Sequence, residues 1–414
     1  MADFIDLSEI GSHRDLATRA LAGEVIVIRG GMQEAGVFDD IIRATLAGVA
    51  NAVGPEVAAK VEAAGLHRIH EFVAPEAIPG ITDAAYRQLT PTAAELMDRF
   101  ATALFADQSG WYFEKEPNVR FHIPYDIAAG FRSTFDKFAE KRGHGKIGAH
   151  GPHRDHWLDC PDNALNIWAA LGPVSTGNGL TVFPEHYLED IPFNAKGEVP
   201  RGVRLKKPFT FDLAPGDVVL FHSAHLHGSE VNRTDDTRAA ISFRVTFGKP
   251  HFPHGHYHDY LAEAWQDGML KPVSHWPARF QPSYVTSLAD RAIKRLTSSK
   301  PAPRPAPKTD PGQNPIPLAS VPIGELRAVS PKVCVARFGE QDVVAVSRFC
   351  PHGGADLADG HLDGTNIVCP WHNLRFDRTS GASDCQALPA LRLRKATITD
   401  GMIHVDLSSG EPEQ

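Results

Sequence analysis

The sequence predicts a mainly β protein with a helical N-terminal part, in which an antiparallel barrel or jelly roll precedes a smaller all-β domain. Three observations lead to this expectation. Apolar residues at helical spacing dominate residues 14–106, and short apolar strands broken by Gly, Pro and Asn follow from about residue 118. A Pro-rich stretch at 297–320 then separates a last segment that carries two Cys/His pairs. A chain of 414 residues is long enough for two domains.

The composition excludes several classes of partner. Hydrophobic residues make up 42% of the chain and charged residues 22%, and the net charge of −8 gives no reason to expect a nucleic-acid partner. Acidic residues in "MADFIDLSEI" stand where a secretory signal would be basic, and apolar runs such as "EVIVIRG" are too short to cross a bilayer. Five cysteines without a disulfide pattern fit a reducing compartment, so we expect a cytoplasmic protein with no membrane partner.

The N-terminal part is expected to begin with a short strand at "EVIVIRG" and to continue as helices. "FDDIIRATLAGVANAV" and "TPTAAELMDRFATALFA" both place apolar residues at helical spacing. Thr90 followed by Pro91 is a favourable helix start. These segments therefore predict two helices in a mainly helical stretch of the chain.

Short strands are predicted in the segments "NVRFHIPYD", "ALNIWAALGPV", "GLTVFPE", "PFTFDLAPGDVVLFHSA" and "RAAISFRVTF". Their spacing is typical of an antiparallel barrel or jelly roll. We expect Trp168 to pack inside it. His122, Tyr125 and Asp126 of "FHIPYD" either face a pocket or belong to the strand core.

A metal site is predicted at "GPHRDHWLD", which holds His153 and Asp155 in an H-x-D pattern. Residues two apart on a strand point to the same face, so both side chains could reach one ion. A histidine from a later strand would complete a 2-His-1-carboxylate triad with open coordination positions. The segment "FHSAHLHGSE" offers three candidates for it, namely His222, His225 and His227.

These motifs resemble the phytanoyl-CoA dioxygenase family of Fe(II)/2-oxoglutarate oxygenases. The resemblance is carried by H-x-D, by "GNGLTVFPEH", and by "HGSEVN" with an Arg at the family's spacing. It implies a double-stranded β-helix (jelly roll), Fe(II), 2-oxoglutarate as co-substrate, and O2. It also implies catalytic, metal-binding positions at His153, Asp155 and His227, and a 2-oxoglutarate clasp formed by Arg238 and Ser229.

Three alternatives stay open at these positions. His222 or His225 could be the distal ligand instead of His227. Arg244 could replace Arg238, or could belong to a buried ion pair. The histidines of "HFPHGHYHDY" suggest metal at first sight, but we interpret that run as a lid loop or ordinary surface.

The stretch "TSSKPAPRPAPKTDPGQNPIPLAS" has no hydrophobic period and predicts a semi-extended linker. We therefore divide the chain into an oxygenase domain at 1–296, a Pro-rich linker at 297–315, and a second domain at 316–410.

The second domain carries Cys350 with His352, and Cys369 with His372. Two thiolates and two imidazoles suit either a tetrahedral zinc or a [2Fe–2S] centre. The loops "CPHGGADLADG" and "CPWHNLRFDRTSG", with a Pro after each cysteine, resemble the Rieske family. The resemblance implies a [2Fe–2S] cluster with the two cysteines on one iron and the two histidines on the other.

The cluster is predicted to have a low reduction potential. Residues 373–376 contain no hydroxyl that could donate to the cluster, and Cys160, Cys334 and Cys385 lie outside both cluster loops. Fewer hydrogen bonds to sulfur stabilise the reduced cluster less, which lowers its potential.

Together these features predict a dioxygenase that uses Fe(II) and 2-oxoglutarate to oxidise a C–H bond of a small molecule. The fused cluster would relay electrons that keep the iron ferrous. A ferredoxin or an NAD(P)H-dependent reductase is a candidate electron donor, and docking between subunits would favour a homo-oligomer. One alternative is a Rieske-type oxygenase fed by NAD(P)H and a separate reductase without 2-oxoglutarate. Another is a non-catalytic redox-sensing binding module.

Overall fold

The computed structural model describes residues 3–6, 9, 15–108, 110–114, 116–131, 150–158, 160–194, 197–200, 202–252, 260–264, 269–271 and 314–407. The chain divides into two compact units. The first comprises Met1–Glu198 with Phe209–Ala292, and the second comprises Val199–Pro208 with Ile293–Gln414. The predicted fold class is confirmed, because strands dominate both units and helices concentrate in the N-terminal part.

The α-helices of the described residues all lie in the first unit: α1 (Leu16–Leu21), α2 (Gly31–Glu34), α3 (Phe38–Val53), α4 (Pro55–Ala64), α5 (Ile78–Leu89), α6 (Ala93–Leu104) and α7 (Tyr125–Ala128). The first helix predicted from the sequence has the bounds of α3. The second, α6, begins later than predicted, because Thr90–Thr92 form a 3₁₀ turn. The apolar faces of α3 and α5 pack against each other and contribute Ile41 and Ile81 to the core.

The strands of the first unit are β1 (Asp3–Ile5), β2 (Ile26–Ile28), β3 (Tyr112–Glu114), β4 (Asn118–His122), β5 (Leu165–Ala170), β6 (Leu180–Phe183), β7 (Phe209–Thr210), β8 (Val218–His222), β9 (Leu226–Ser229), β10 (Arg238–Thr246), β11 (Tyr260–Ala264) and β12 (Met269–Lys271). Within the described residues, one large sheet runs β1-β2-β8-β5-β10-β3-β11-β12, with β4 also paired to β10. A small sheet runs β7-β6-β9. Two facing antiparallel sheets are the jelly-roll arrangement.

Strand β10 shows how the large sheet separates a helix-covered face from the barrel interior. Ala239, Ile241 and Phe243 belong to the core shared with the helices. Arg238 and Arg244, at the alternate positions, point to the other face, where side chains line the space between the sheets. Trp168 packs in the inter-sheet core, as expected.

The strands of the second unit are β13 (Ile316–Pro317), β14 (Leu326–Ser330), β15 (Val333–Arg337), β16 (Val343–Ser347), β17 (His361–Asp363), β18 (Asn366–Val368), β19 (Arg375–Asp377), β20 (Leu393–Arg394), β21 (Ala396–Thr399) and β22 (Met402–Val405). They form three small sheets, β13-β22-β21, β14-β15-β16-β20 and β17-β18-β19, within the part of the chain described. The two Cys/His loops follow β16 and β18. None of the helices that the structure describes is long and apolar enough to cross a membrane.

Residues 199–208 interrupt the first unit in sequence but group with the second. Gly202 donates its N–H to the Gly354 carbonyl at 3.3 Å, and Arg204 pairs with Asp359. The sequence pattern did not predict that residues 199–208 group with the second unit. Most of the proposed linker, and the later histidines of "HFPHGHYHDY", lie outside the described residues. His251 is described, and its Nδ1 lies 2.8 Å from the Asp162 carboxylate.

Candidate metal centres

Three buried side chains converge inside the barrel: His153, Asp155 and His227. Their candidate ligand atoms all lie within 4.8 Å of one another. Asp155 Oδ1 is 3.7 Å from His227 Nε2 and 4.0 Å from His153 Nε2. This is the only cluster of His, Cys, Asp and Glu in the described part of the chain that is compact enough for a single ion. Two imidazoles and one carboxylate are a donor set that suits Fe(II) and leaves open positions.

The backbone structure that brings these three residues together differs from the expected strand. His153 and Asp155 do not share the face of one strand. His153 forms an isolated antiparallel bridge with His227 of β9, and Asp155 begins a 3₁₀ turn that extends to Leu158. The paired backbones place the two imidazoles side by side, with ring centroids 4.4 Å apart, and the turn then directs the carboxylate toward them.

Backbone carbonyls orient both imidazoles. His153 Nδ1 lies 2.9 Å from the Gly151 carbonyl oxygen, and His227 Nδ1 lies 3.0 Å from that of His225. A carbonyl oxygen can only accept, so each Nδ1 carries the proton and each Nε2 presents its lone pair. That is the tautomer a metal-ligating histidine needs.

The electrostatics of the site suit a cation. Burial, assisted by the neighbouring His227, lowers the pKa of His153 to about 3. Burial also lowers the pKa of His227, so both rings are neutral ligands at ordinary pH. Burial alone would raise the pKa of Asp155. The positive charge of Arg244 and its hydrogen bonds outweigh burial and hold the pKa of Asp155 well below its usual range.

His222 and His225 do not join the triad. His225 Nε2 lies 2.9 Å from the Gly23 carbonyl oxygen, and the ring stacks on Tyr187 with centroids 4.5 Å apart. His222 Nδ1 accepts from the Ala224 N–H at 3.1 Å. Both therefore lie in contacts with neighbouring loops, and His227 is the member of "HLH" that the structure brings to His153 and Asp155.

Arg244 occupies the buried ion pair that the sequence left open as an alternative. Its Nε and Nη2 donate to the two oxygens of Asp155 at 3.0 and 3.2 Å. Its Nη1 donates to both oxygens of Glu114 at 2.9 and 3.1 Å. Sequence reasoning missed Glu114, which is buried on β3, because a lone Glu before a loop carries no signal of its own. Arg244 is thus engaged on both sides by carboxylates.

Arg238 is placed differently. It is buried on β10, and its Nη1 donates to Ser229 Oγ at 3.1 Å and to the Gly179 carbonyl at 3.2 Å. Its Nη2 lies 2.7 Å from His122 Nδ1. Among the described residues it has no carboxylate partner. Burial lowers its pKa to about 9, with a further contribution from Arg120. A guanidinium in this situation is a ready receptor for a ligand carboxylate.

Two residues of the "HGSEVN" segment, Gly228 and Asn232, have structural roles near the site. A Cβ at Gly228 would lie 2.8 Å from the His150 carbonyl oxygen, so only glycine allows β9 to approach the backbone at His150 this closely. Asn232 Nδ2 donates to the carbonyls of His122 and Asp236 at 2.6 and 2.7 Å. It therefore ties the end of β4, which carries His122, to the turn that begins β10.

The four Cys/His residues of the second unit also meet. Side-chain hydrogen bonds join Cys350 to Cys369 and Cys369 to His372, and the His352 and His372 rings lie 4.7 Å apart. Both cysteines are buried, and none of the five cysteines of the chain forms a disulfide. The ligand atoms of these four residues do not all lie within 4.8 Å of one another, as those of the barrel triad do, and this wider spacing fits a two-iron cluster better than zinc.

A buried ion pair supports the first cluster loop. Arg348, immediately before the loop, donates to Asp356 at 2.6 Å, and Asp356 in turn accepts from the Ala358 N–H at 3.1 Å. Phe349 and Asp356 form an isolated bridge that closes the loop around Cys350. The loop geometry is therefore maintained from within the second unit.

Two family models match the chain. Residues 61–240 match "Phytanoyl-CoA dioxygenase (PhyH)", and residues 319–397 match "Rieske [2Fe-2S] domain". The cofactors that these two domains imply are Fe(II), 2-oxoglutarate and a [2Fe–2S] cluster. The Rieske match selects the cluster over the zinc alternative. The coarse function is that of an Fe/2-oxoglutarate oxygenase-like oxidoreductase with an electron-transfer cluster.

Similar proteins match one domain or the other. The ferredoxin component of the naphthalene 1,2-dioxygenase system of Pseudomonas putida is 33% identical over 70 residues, which cover 17% of this chain and 67% of that protein. A ferredoxin of Sphingomonas yanoikuyae B1 is 34% identical over 23% of this chain and 97% of its own, with a TM-score of 0.21. The epimerase SnoN, solved with Fe3+, alpha ketoglutarate and nogalamycin RO, is 18% identical over 57% of this chain and 84% of its own, with a TM-score of 0.32.

Proposed function

Since the chain belongs to the Rieske [2Fe-2S] family through residues 319–397 and carries a phytanoyl-CoA dioxygenase domain in residues 61–240, we propose that it is an Fe(II)/2-oxoglutarate-dependent dioxygenase. It oxidises a C–H bond of a small-molecule substrate. Fe(II) is held by His153, Asp155 and His227, and the cluster is held by the two Cys/His pairs. The cluster relays single electrons that keep the barrel iron ferrous.

The observation that carries this proposal is the pairing of the triad with Arg238. The triad offers a metal three protein ligands, and Arg238 offers a buried guanidinium whose described partners are a hydroxyl, a carbonyl and an imidazole. A dicarboxylate fits this pair of features, because one end can bind a metal while the other pairs with the arginine. Ser229 adds a hydroxyl donor beside that second carboxylate.

The protein's own residues position and neutralise the reactants. Arg244 holds both oxygens of Asp155, so the carboxylate cannot rotate away from the two imidazoles. Arg238 orients the distal carboxylate of 2-oxoglutarate and compensates its charge in a site from which water is largely excluded. When bound, Fe(II) supplies the site of O2 activation, and 2-oxoglutarate supplies two electrons as it loses CO2 and becomes succinate.

Because 2-oxoglutarate supplies the electrons of each turnover, we assign the cluster the role of keeping the barrel iron ferrous. A turnover with 2-oxoglutarate needs no outside electrons, but an uncoupled one can leave the site ferric. One electron delivered through the cluster from a ferredoxin or an NAD(P)H-dependent reductase would restore it. The absence of hydroxyl side chains at residues 373–376 supports a potential low enough for this task, which a redox titration would measure.

Binding of the co-substrate can be tested without knowing the substrate. The Fe(II) protein without oxygen should develop a weak visible band when 2-oxoglutarate is added. Arg238→Gln should weaken that binding by about 2–5 kcal/mol, because a charge-assisted bidentate contact is lost in a buried site. Arg43→Gln, at an exposed arginine, is the matched control and should bind normally. Equal affinity in the wild type and Arg238→Gln would contradict the clasp.

The role of the cluster can be tested with Cys350→Ser, which removes one ligand of the cluster. Without organic substrate, the variant should convert 2-oxoglutarate to succinate at an initial rate close to that of the wild type. Both proteins should then lose activity over successive turnovers. After removal of oxygen, photoreduced deazaflavin should restore the wild type through its cluster, and the variant should recover only with ascorbate.

Two other outcomes would change the assignment. Failure of Cys350→Ser to form any succinate in the first turnover would mean that the cluster supplies catalytic electrons. Product formation with NADH and a reductase but without 2-oxoglutarate would favour the Rieske-type oxygenase. A protein that binds 2-oxoglutarate and never converts it would favour the redox-sensing module.

A further inference from the structure

We propose that the organic substrate carries a single anionic group, such as a carboxylate, and that Arg120 binds it inside the barrel beside the metal triad. This inference rests on the proposed function and adds the chemical class of the substrate to it. It comes from a third arginine of the barrel interior, which neither the predicted metal site nor the predicted clasp uses.

The register of β4 places Arg120 on the inner face of the large sheet. Val119 and Phe121 belong to the core shared with the helices, so Arg120 and His122 point to the opposite face. His122 lies opposite Arg238 of β10 and contacts it, and Arg120 lies opposite Ala240.

Arg120 has no partner in the part of the chain that the structure describes: no hydrogen bond and no ion pair involves its side chain. The other two inward arginines differ, since Arg244 is paired with two carboxylates and Arg238 with Ser229, Gly179 and His122. Burial lowers the pKa of Arg120, although the side chain retains some accessible surface. That combination describes a largely buried cation without a counter-ion in the described part of the chain.

Arg120 is close enough to the metal triad to matter for a bound substrate. It lies opposite Ala240, which stands on β10 between Arg238 and Arg244. Arg244 holds Asp155 of the triad, and the charge of Arg120 also acts on Asp155 and Glu114. An anion held by Arg120 would therefore lie near both the metal and the co-substrate.

A count of charges indicates one further anion. The three arginines of the inner face carry three positive charges, and the described carboxylates among them are Asp155 and Glu114. Glu230 carries a further negative charge, which its pair with Arg233 at 3.5 Å balances. The two charges of Fe(II) are balanced by those of 2-oxoglutarate, and the imidazoles are neutral. One positive charge remains, which a monoanionic substrate would balance in a medium where an unpaired charge is costly.

The position of Arg120 favours the substrate over 2-oxoglutarate as the source of this anion. Arg238 already has Ser229 beside it as a second donor, so the distal carboxylate of 2-oxoglutarate is provided for. Arg120 lies two residues from His122, about 6.6 Å along the strand at the usual rise per residue. It is therefore displaced from the clasp along β4.

The test uses acetate as the smallest carboxylate probe and acetamide as its uncharged counterpart. The full-length protein is loaded with Mn(II) and saturated with 2-oxoglutarate, and relaxation of the probe's methyl protons by Mn(II) reports binding near the metal. Acetate should bind the wild type, and acetamide should not. Arg120→Gln should weaken acetate binding by at least about tenfold, since a charge-assisted pair is lost. Arg120→Lys should retain part of it, and Arg43→Gln should match the wild type.

The affinity for 2-oxoglutarate, measured in the same samples, separates this inference from the proposed function. We expect Arg120→Gln to change it by less than about threefold. If Arg120→Gln weakens 2-oxoglutarate as strongly as Arg238→Gln does, Arg120 belongs to the clasp and the inference is wrong. Equal acetate relaxation in the wild type and Arg120→Gln, or none in either, would also overturn it. If the wild type does not bind 2-oxoglutarate at all, it is the proposed function that fails.

Discussion

The two candidate iron sites of this chain are built in opposite ways. The barrel triad takes its ligands from an isolated bridge, a 3₁₀ turn and strand β9, and depends on Arg244 of a fourth segment, β10. The cluster site takes each Cys/His pair from a single short loop, and the ion pair that supports the first loop also comes from within it or beside it. The fold brings the ligands of the barrel site together, whereas two short segments of the chain supply all the ligands of the cluster site.

This difference has a chemical counterpart. The barrel triad lies among charged groups, with arginines at three positions of the inner face. The cysteines of the cluster are buried, and in the described part of the chain Arg348–Asp356 is the buried ion pair next to them. A site that binds and converts ligands needs charge and space, whereas a site that passes electrons needs enclosure.

The largest effect should come from removing a ligand of the barrel site. His227→Ala should abolish stoichiometric Mn(II) or Fe(II) binding in the barrel and leave the visible spectrum of the cluster unchanged, because the two sites share no residues. The matched control is His225→Gln, which can still donate to the Gly23 carbonyl and should keep the metal. Metal analysis and the cluster spectrum measure both. Metal binding that survives in His227→Ala and is lost in His225→Gln would reverse the assignment.

The next effect concerns the stability of the cluster domain alone. Arg348→Met leaves Asp356 buried without its cation, and breaking such a pair costs about 3–5 kcal/mol of unfolding free energy. Arg378→Gln is the control in the same domain, since its pair with Asp342 is partly exposed and should cost about 0–1 kcal/mol. Urea unfolding followed by loss of the cluster absorbance compares them. Similar losses in both variants would show that burial of the Arg348 pair has no special role.

The smallest expected effect is on the orientation of a metal ligand. Glu114→Gln removes the carboxylate that pairs with Arg244 Nη1. Arg244 should then pair more strongly with Asp155, which makes the Asp155 carboxylate a weaker metal ligand. Changes of this kind reduce metal affinity by about tenfold or somewhat more. Calorimetric titration with Mn(II) measures the affinity, and a parallel unfolding curve measures stability. Lower stability with unchanged affinity would show that Glu114 only supports the fold.

Much of both sites was predictable because the signals are close together in sequence. "CPHGG" and "CPWH" each place two ligand types within one turn of chain, and the structure brings all four residues together. His153 and Asp155 were predictable as a pair, but the reason given for their convergence was wrong, since a bridge and a turn replace the expected strand. The choice of His227 over His225 depended on resemblance, because three histidines within six residues are equivalent by composition.

The sequence by itself determined the fold class, and it pointed to the two Cys/His pairs and the H-x-D pair as candidate ligands of two chemically different iron sites, because periodicity and short motifs are local properties of a chain. Only the tertiary structure decided how Arg120, Arg238 and Arg244 differ. All three are arginines on strands, yet the register of β3, β4 and β10 pairs Arg244 with two carboxylates, Arg238 with a hydroxyl and an imidazole, and Arg120 with nothing that the structure describes. Partner identity depends on which strands lie side by side, and that information is spread over more than a hundred residues of chain.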